Sequence, residues 1–255
     1  MPAPAEDRFF AEHGWMVVRG LVPPERVAAL RAAVDALIPE AAYATGFAGR
    51  IVEVAGISRG SPEIARHAAA PALGELAAAA LGARRVQLLQ DTALIKPPAG
   101  GPVEWHQDQS YLGYLDRAAV VTVRLALSPC TERSGCLRVI DGSHRRGLHT
   151  EDLSFRRTSV EDTLAALPPE LRGAEVALEL APGDVSVHHC LTYHGSGVNR
   201  TAAPRKTLVV RLMDAECRRS DAPLPEAIRA HFPVDAAGRL STTRFPVTYE
   251  RPAGL

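Results

Sequence analysis

Hydrophobic positions in the first eighty or so residues recur mainly at helical spacing, whereas those after Arg85 fall in short runs broken by turn residues. A short strand is predicted at 15–19. After Pro23-Pro24-Glu25, the apolar residues Val27, Leu30, Val34 and Leu37 stand at i, i+3, i+7 and i+10, the stripe of one face of an amphipathic helix. Ser61-Pro62-Glu63 supplies an N-cap and a first-turn proline for a further helix. Pro71 interrupts that helix, and Gly82 ends the second piece, 72–81. These alanine-rich helices read as scaffold.

Beyond Arg85 the pattern predicts strands at 86–95, 103–108, 120–127, 137–140, 175–180, 185–190 and 206–213. Pro97-Pro98, Asp141-Gly142-Ser143, Pro182-Gly183-Asp184 and the stretch 195–199 provide the turns. Several short strands closely spaced in sequence predict a sandwich or barrel with helices packed outside it. Residues 147–173 form a polar, then weakly helical insert (159–167) between strand runs, read either as a lid over a barrel mouth or as a surface excursion. No internal repeat or low-complexity linker divides the chain. One domain is expected over 1–255, with a mainly helical part at 1–84, a β core at 85–215 and an extension at 216–255.

Composition narrows the classes. The chain has 255 residues and 46% hydrophobic content, ample for a sizeable core. Lys plus Arg and Asp plus Glu both number 29, so no nucleic-acid surface is expected. No apolar run of about 18 residues occurs, and the first residues lack the basic-then-apolar order of a signal peptide; a soluble, cytoplasmic protein without a membrane partner is expected. Cys130, Cys136, Cys190 and Cys217 form no C-x-x-C pair and read as small buried hydrophobes.

The candidate chemistry starts at Glu104-Trp105-His106-Gln107-Asp108. In a strand, i and i+2 share a face, so His106 and Asp108 could offer two ligands to one metal. Two imidazoles and one carboxylate are the ligand set of non-haem Fe(II) oxygenases. The chain holds nine histidines, so the pair alone is also compatible with chance. Three histidines compete for the third position. His188 and His189 are adjacent and face opposite sides of a strand, and either could be a core histidine. His194 is followed by Gly195-Ser196-Gly197, where small residues leave room around an ion or ligand. Eleven residues further on, Arg205 could present its planar fork to a carboxylate beside the metal, which favours His194. Arg205 alone could equally be a surface residue beside Pro204.

These residues resemble the phytanoyl-CoA dioxygenase-like family of Fe(II)/2-oxoglutarate-dependent oxygenases. The resemblance runs from Phe10 to Trp15 and Val17-Val18-Arg19-Gly20, through Lys96-Pro97-Pro98 and Trp105-His106-Gln107-Asp108, to Gly135-Cys136-Leu137 and Asp141-Gly142-Ser143-His144. It ends in Pro182-Gly183-Asp184, the stretch 194–199 and Arg205. It implies a mainly β fold with flanking helices and a double-stranded β-helix, the jelly-roll or cupin-like core, with Fe(II) held by His106, Asp108 and His194. It further implies O2 and 2-oxoglutarate, the distal carboxylate of the latter paired with Arg205 and assisted by Ser196. Gln90, six residues before Lys96, matches a glutamine that often touches 2-oxoglutarate in relatives, or is an ordinary strand residue. Arg124 departs from relatives with an aromatic residue there; it shares a face with Thr122 and Ala126, and could meet 2-oxoglutarate, an anionic substrate or solvent.

The implied activity is oxidation of a small molecule, by default hydroxylation, with release of succinate and CO2. Halogenating relatives replace the carboxylate ligand by a small residue; here Asp108 keeps it, which argues against halogenation. Cyclisation, desaturation and epimerisation stay open, as does a cupin-like metal-dependent isomerase or hydrolase without 2-oxoglutarate. Gln109, Tyr111 and Arg211 are candidate substrate residues. A natural-product intermediate is the substrate class that the breadth of the family suggests.

Overall fold

The computed structural model describes residues 4–40, 51–149, 167, 169–221, 223 and 226–252. Helix α1 (Pro4–His13) leads into strand β1 (Trp15–Val18), followed by α2 (Pro24–Leu37), β2 (Val52–Ala55), α3 (Pro62–Ala68) and α4 (Pro71–Leu81). The predicted punctuation operates. The Ser61 hydroxyl accepts from Ile64 N at 3.4 Å, Pro71 opens α4, and Gly82 ends it at φ 63°. Val27, Leu30 and Val34 are buried as predicted, but Leu37 is 39% exposed. The buried stripe continues through Ile38, four residues after Val34, because the helix ends at that point.

The remaining strands are β3 (Arg85–Lys96), β4 (Val103–His106), β5 (Val120–Ala126), β6 (Leu137–Ile140), β7 (Glu175–Leu178), β8 (Val185–His189), β9 (His194–Ser196), β10 (Arg205–Asp214) and β11 (Val247–Glu250). They form two sheets. The larger has the order β1-β8-β5-β10-β3-β11, with β2 also paired to β3; the smaller has β4-β9-β6-β7, and every pairing named is antiparallel. The fold is mainly β with flanking helices around a cupin-like jelly-roll core. The expected division into helical part, core and extension is not kept by the large sheet, which takes β1 and β2 from the first part and β11 from the last.

Period-two alternation gives the large sheet two unlike faces. Val121, Val123, Leu125, Val185, Val187, Leu208, Val210 and Leu212 belong to one apolar core with residues of α2, α3 and α4. The opposite face carries Thr122 and Arg124 from β5, Ser186 and His188 from β8, Arg211 from β10 and Gln90 from β3. Cross-strand register lines up His188 with Thr122, Thr122 with Arg211, and Arg211 with Gln90. The four cysteines are free and buried, as their sequence context suggests. No helix among the described residues is long and apolar enough to cross a membrane.

Candidate metal centre

His106 closes β4, but Asp108 lies outside it: the strand predicted for 103–108 stops at His106, and Asp108 begins a one-turn 3-10 helix reaching Tyr111. Gln107 between them keeps extended backbone, φ −112° and ψ 130°, so the side chains of His106 and Asp108 still emerge on one side, as the i, i+2 spacing predicts. His194 opens β9, a strand that runs on through Gly195 and Ser196, where a turn was expected. Register places His194 directly opposite His106, with ring centroids 4.2 Å apart. Gly195 makes that pairing possible, since a Cβ there would lie 2.9 Å from Val103 O on β4.

One ligand atom from each of His106, Asp108 and His194 lies within 4.8 Å of the others. Both imidazoles are held in the same tautomer. His106 Nδ1–H donates to Glu104 O at 2.8 Å and His194 Nδ1–H to Thr192 O at 2.9 Å. A carbonyl can only accept, so in the neutral form of each ring Nε2 is the nitrogen with the free lone pair, the donor a metal requires. Burial keeps His194 well below the usual histidine range and thus neutral, a tendency that His106 and His188 reinforce. The residues present fit a divalent cation.

Asp108 is fully enclosed. Thr122 Oγ1 donates to its Oδ2 at 2.6 Å, Arg211 Nη2 to Oδ1 at 3.1 Å, and His194 Nε2 stands 3.7 Å from Oδ1. Burial alone would raise its pKa, but the charge of Arg211 and the surrounding histidines hold the carboxyl well below the usual carboxylate range. It is therefore ionised and available as a ligand.

Cations collect on the other side of the cavity. Arg205, the first residue of β10, is opposite Lys96 in register and fully buried; its Nη1 donates to Gly135 O while its Nε has no hydrogen-bond partner. Lys96 Nζ donates to Ser196 Oγ at 2.8 Å and to Gly197 O. Burial first, then Arg205 and Arg124, push the Lys96 ammonium down to about 6, and burial with Arg205 brings Arg124 down to about 10. A carboxylate bound among Arg124, Arg205 and Ser196 would relieve this repulsion, and the free Nε of Arg205 supplies a donor. These residues fit the distal end of a dicarboxylate.

A cavity of about 530 Å³ joins the two regions. Of the residues singled out in the sequence, His106, Asp108, His194, Arg205, Ser196, Gln90, Arg124, Tyr111 and Arg211 all face it. Gln109 does not: it is buried behind the 3-10 turn, with its backbone N–H donating to Cys190 O at 3.0 Å. Arg124 lies on the cavity face and not toward solvent. Gln90 accepts from Arg211 at 3.3 Å and donates to Thr92 Oγ1 at 3.3 Å. Sequence reasoning missed Lys96 as a member of the cation cluster, and Thr122 and His188 as neighbours of Asp108. It also missed Leu112, Tyr114 and Phe232 on the cavity wall. Most of the insert read over 147–173 as a lid or surface excursion, including nearly all of its weakly helical stretch 159–167, lies outside the described residues.

The family model described as phytanoyl-CoA dioxygenase (PhyH) matches residues 10–207, most of the chain, including His106, Asp108, His194 and Arg205. The chain belongs to the phytanoyl-CoA dioxygenase family. Among curated relatives, a probable alpha-ketoglutarate-dependent hypophosphite dioxygenase of Stutzerimonas stutzeri is 29% identical over 123 residues, 45% of this chain and 41% of that protein. The matched stretch thus spans less than half the length of the first curated relatives. The non-heme alpha ketoglutarate dependent carbocyclase SnoK from nogalamycin biosynthesis superposes with a TM-score of 0.77 at 22% identity, covering 96% of both chains, a likeness of fold. EctD from S. alaskensis, solved with 2-oxoglutarate and 5-hydroxyectoine, superposes with a TM-score of 0.69 at 25% identity, covering 99% of this chain and 86% of its own. The same protein solved with bound Fe gives 0.72 at 26%, covering 94% and 87%. The fold is that of Fe(II)/2-oxoglutarate-dependent oxygenases, and His106, Asp108 and His194 form a candidate site for the iron.

Proposed function

We propose that this protein is a non-haem Fe(II)- and 2-oxoglutarate-dependent dioxygenase acting as a single domain over 1–255. It oxidises a small molecule, by default through hydroxylation, and releases succinate and CO2. The observation that carries this reading is the pairing of two tautomer-fixed imidazoles and an ionised carboxylate with a separate buried cation cluster across one cavity. A metal-dependent isomerase or hydrolase has no use for the second half of that arrangement.

When bound, iron and 2-oxoglutarate supply the oxidising power for the reaction, the latter leaving as succinate and CO2. The chain's own residues do the holding. His106, Asp108 and His194 would hold the metal with three protein ligands, which would leave coordination free for 2-oxoglutarate and O2. Arg205 and Ser196 hold the distal carboxylate, with Arg124 as a second cation and Gln90 fixed beside Arg211 at the cavity wall. Tyr111, Leu112, Tyr114 and Phe232 form the substrate wall, with Tyr114 and Phe232 stacked at 3.8 Å between ring centroids. Burial pushes the Tyr114 hydroxyl up to about 12, so it stays a neutral hydrogen-bond donor.

The substrate we propose is a natural-product-like small molecule, consistent with the cavity's size and aromatic wall and with a SnoK-like fold. The same reading takes the protein as cytoplasmic, with no nucleic-acid or membrane partner. The retained Asp108 favours oxygenation over halogenation; cyclisation, desaturation or epimerisation would use the same residues. Incubation with Fe(II), 2-oxoglutarate and a panel of small molecules, read by mass spectrometry, tests this. A gain of one oxygen, or a loss of two hydrogens, together with succinate is expected; the absence of 2-oxoglutarate consumption with every candidate and in its uncoupled form would overturn it.

A further inference from the structure

His188 is fully buried on the cavity-facing side of the large sheet, and neither of its ring nitrogens has a hydrogen-bond partner. A buried imidazole with both nitrogens unsatisfied costs free energy, so its retention there calls for a use. Its Nε2 stands 3.5 Å from Asp108 Oδ2, and its ring centroid 4.3 Å from that of His194. It does not line the cavity, so it approaches Asp108 from behind. Its cross-strand neighbour is Thr122, whose hydroxyl already donates to the same oxygen, Oδ2. The other oxygen, Oδ1, is the one on the His194 side, where it accepts one hydrogen bond from Arg211 Nη2 and keeps a lone pair for a metal.

We propose that His188 is a positioning residue for the metal ligand Asp108: its Nε2–H donates to Oδ2 and, with Thr122, reserves Oδ1 for the metal. The inference rests on the metal assignment above. A carboxylate free to swing can offer a metal either oxygen or both. Held from behind by Thr122 and His188, it is a one-oxygen ligand, which leaves more of the coordination sphere for 2-oxoglutarate and O2. Closing the 3.5 Å separation by a few tenths of an ångström makes an ordinary hydrogen bond. Partners behind a ligand of this kind typically change metal affinity by about 10- to 100-fold when removed.

The test is a Co(II) titration of chelator-stripped wild-type protein, His188→Phe, His188→Leu and His188→Gln, without 2-oxoglutarate, alongside thermal unfolding of each metal-free form. His188→Phe and His188→Leu are expected to weaken Co(II) binding about 10- to 100-fold. His188→Gln, whose amide N–H reaches the place of Nε2, is expected to stay within a few-fold of wild type. Metal-free unfolding temperatures are expected to be unchanged or raised in the apolar variants, because an unsatisfied polar group has been removed. Should one apolar variant fail to fold, the other and the glutamine decide the matter. Wild-type Co(II) affinity in the folded apolar variants, or equal weakening in the glutamine, overturns the role of His188. Failure of wild type itself to bind Co(II), with no difference from His106→Ala, overturns the metal assignment instead.

Discussion

Arg211 lays its guanidinium along the carboxylate of Asp108, Nη2 at 3.1 Å from Oδ1 and Nε at 3.4 Å from Oδ2. Burial works against the charge of Arg211, yet Asp108 more than offsets it and raises the arginine's pKa. Although Arg211 borders the cavity, its charge is committed to Asp108, so it is a poor anchor for an anionic substrate. The pairing separates two variants that each remove a proposed metal ligand. Asp108→Ala and His106→Ala are each expected to abolish metal-dependent succinate formation. In the metal-free state, however, Asp108→Ala strands a largely buried guanidinium and is expected to cost about 2–4 kcal/mol, below the full range for a deeply buried pair because Arg211 is partly exposed. His106→Ala breaks no such pair and is expected to cost less. Urea unfolding of the stripped proteins checks the difference; equal stabilities would contradict the pairing.

Arg205→Lys is expected to raise KM for 2-oxoglutarate at least about tenfold, since one compact ammonium replaces a fork that makes two parallel hydrogen bonds. The effect on kcat should be smaller. Initial-rate measurements of succinate release at varied 2-oxoglutarate check this, and an unchanged KM would remove Arg205 from the site.

Lys96, held down to about 6 by burial and by Arg205 and Arg124, is largely neutral at pH 7 in the unliganded protein. A carboxylate entering beside these cations offsets the repulsion and draws a proton onto the amine. Binding of 2-oxoglutarate near pH 7 is therefore expected to take up protons and to weaken as pH rises from about 6 to 8. Calorimetry in two buffers of different ionisation enthalpy measures the uptake directly. Lys96→Met should abolish it, and buffer-independent heats for wild type would refute the linkage.

Two histidines away from the centre contribute to the acid limb of stability. Burial pushes His67 and His189 down to about 4. The unfolded chain protonates each of them near pH 6.5, whereas the folded chain resists until about 4. Their folded-state pKa values are depressed, so stability is full above about 6.5, falls as pH drops and levels off below about 4, with a limiting slope of up to ~1.4 kcal/mol per pH unit for each histidine. Urea unfolding between pH 7 and 4 should show this decline, and His67→Asn should reduce its slope. A slope unchanged in that variant would count against His67 as a source.

Sequence patterning located the strands and helices that a single period or a capping residue announces, such as α4 between Pro71 and Gly82 or β5, though it left open which way Arg124 faces. It failed where tertiary pairing decides. β9 is three residues long and contains a glycine, so it reads as a turn until β4 and β6 are placed on either side of it. β2 and β11 likewise become strands only by pairing with β3. The candidate ligands His106, Asp108 and His194 and the nearby Arg205 could be picked out because their spacing and residue types are distinctive, and the structure brings all four to one cavity. The surroundings of Asp108 were not, because Thr122, His188 and Arg211 meet it only through cross-strand register. Gln109 was misplaced for a related reason: once Asp108 begins a 3-10 turn and not a strand end, the next side chain turns into the protein.

The central claim is that His106, Asp108 and His194 hold an iron that 2-oxoglutarate joins, with Arg205 gripping its far end. An anaerobic calorimetric titration of Fe(II)-loaded protein with 2-oxoglutarate tests this most directly. The expected result is one equivalent bound per chain, dependent on Fe(II) and lost in Asp108→Ala. Binding that is unchanged without metal, or retained in full by Asp108→Ala, would contradict the account.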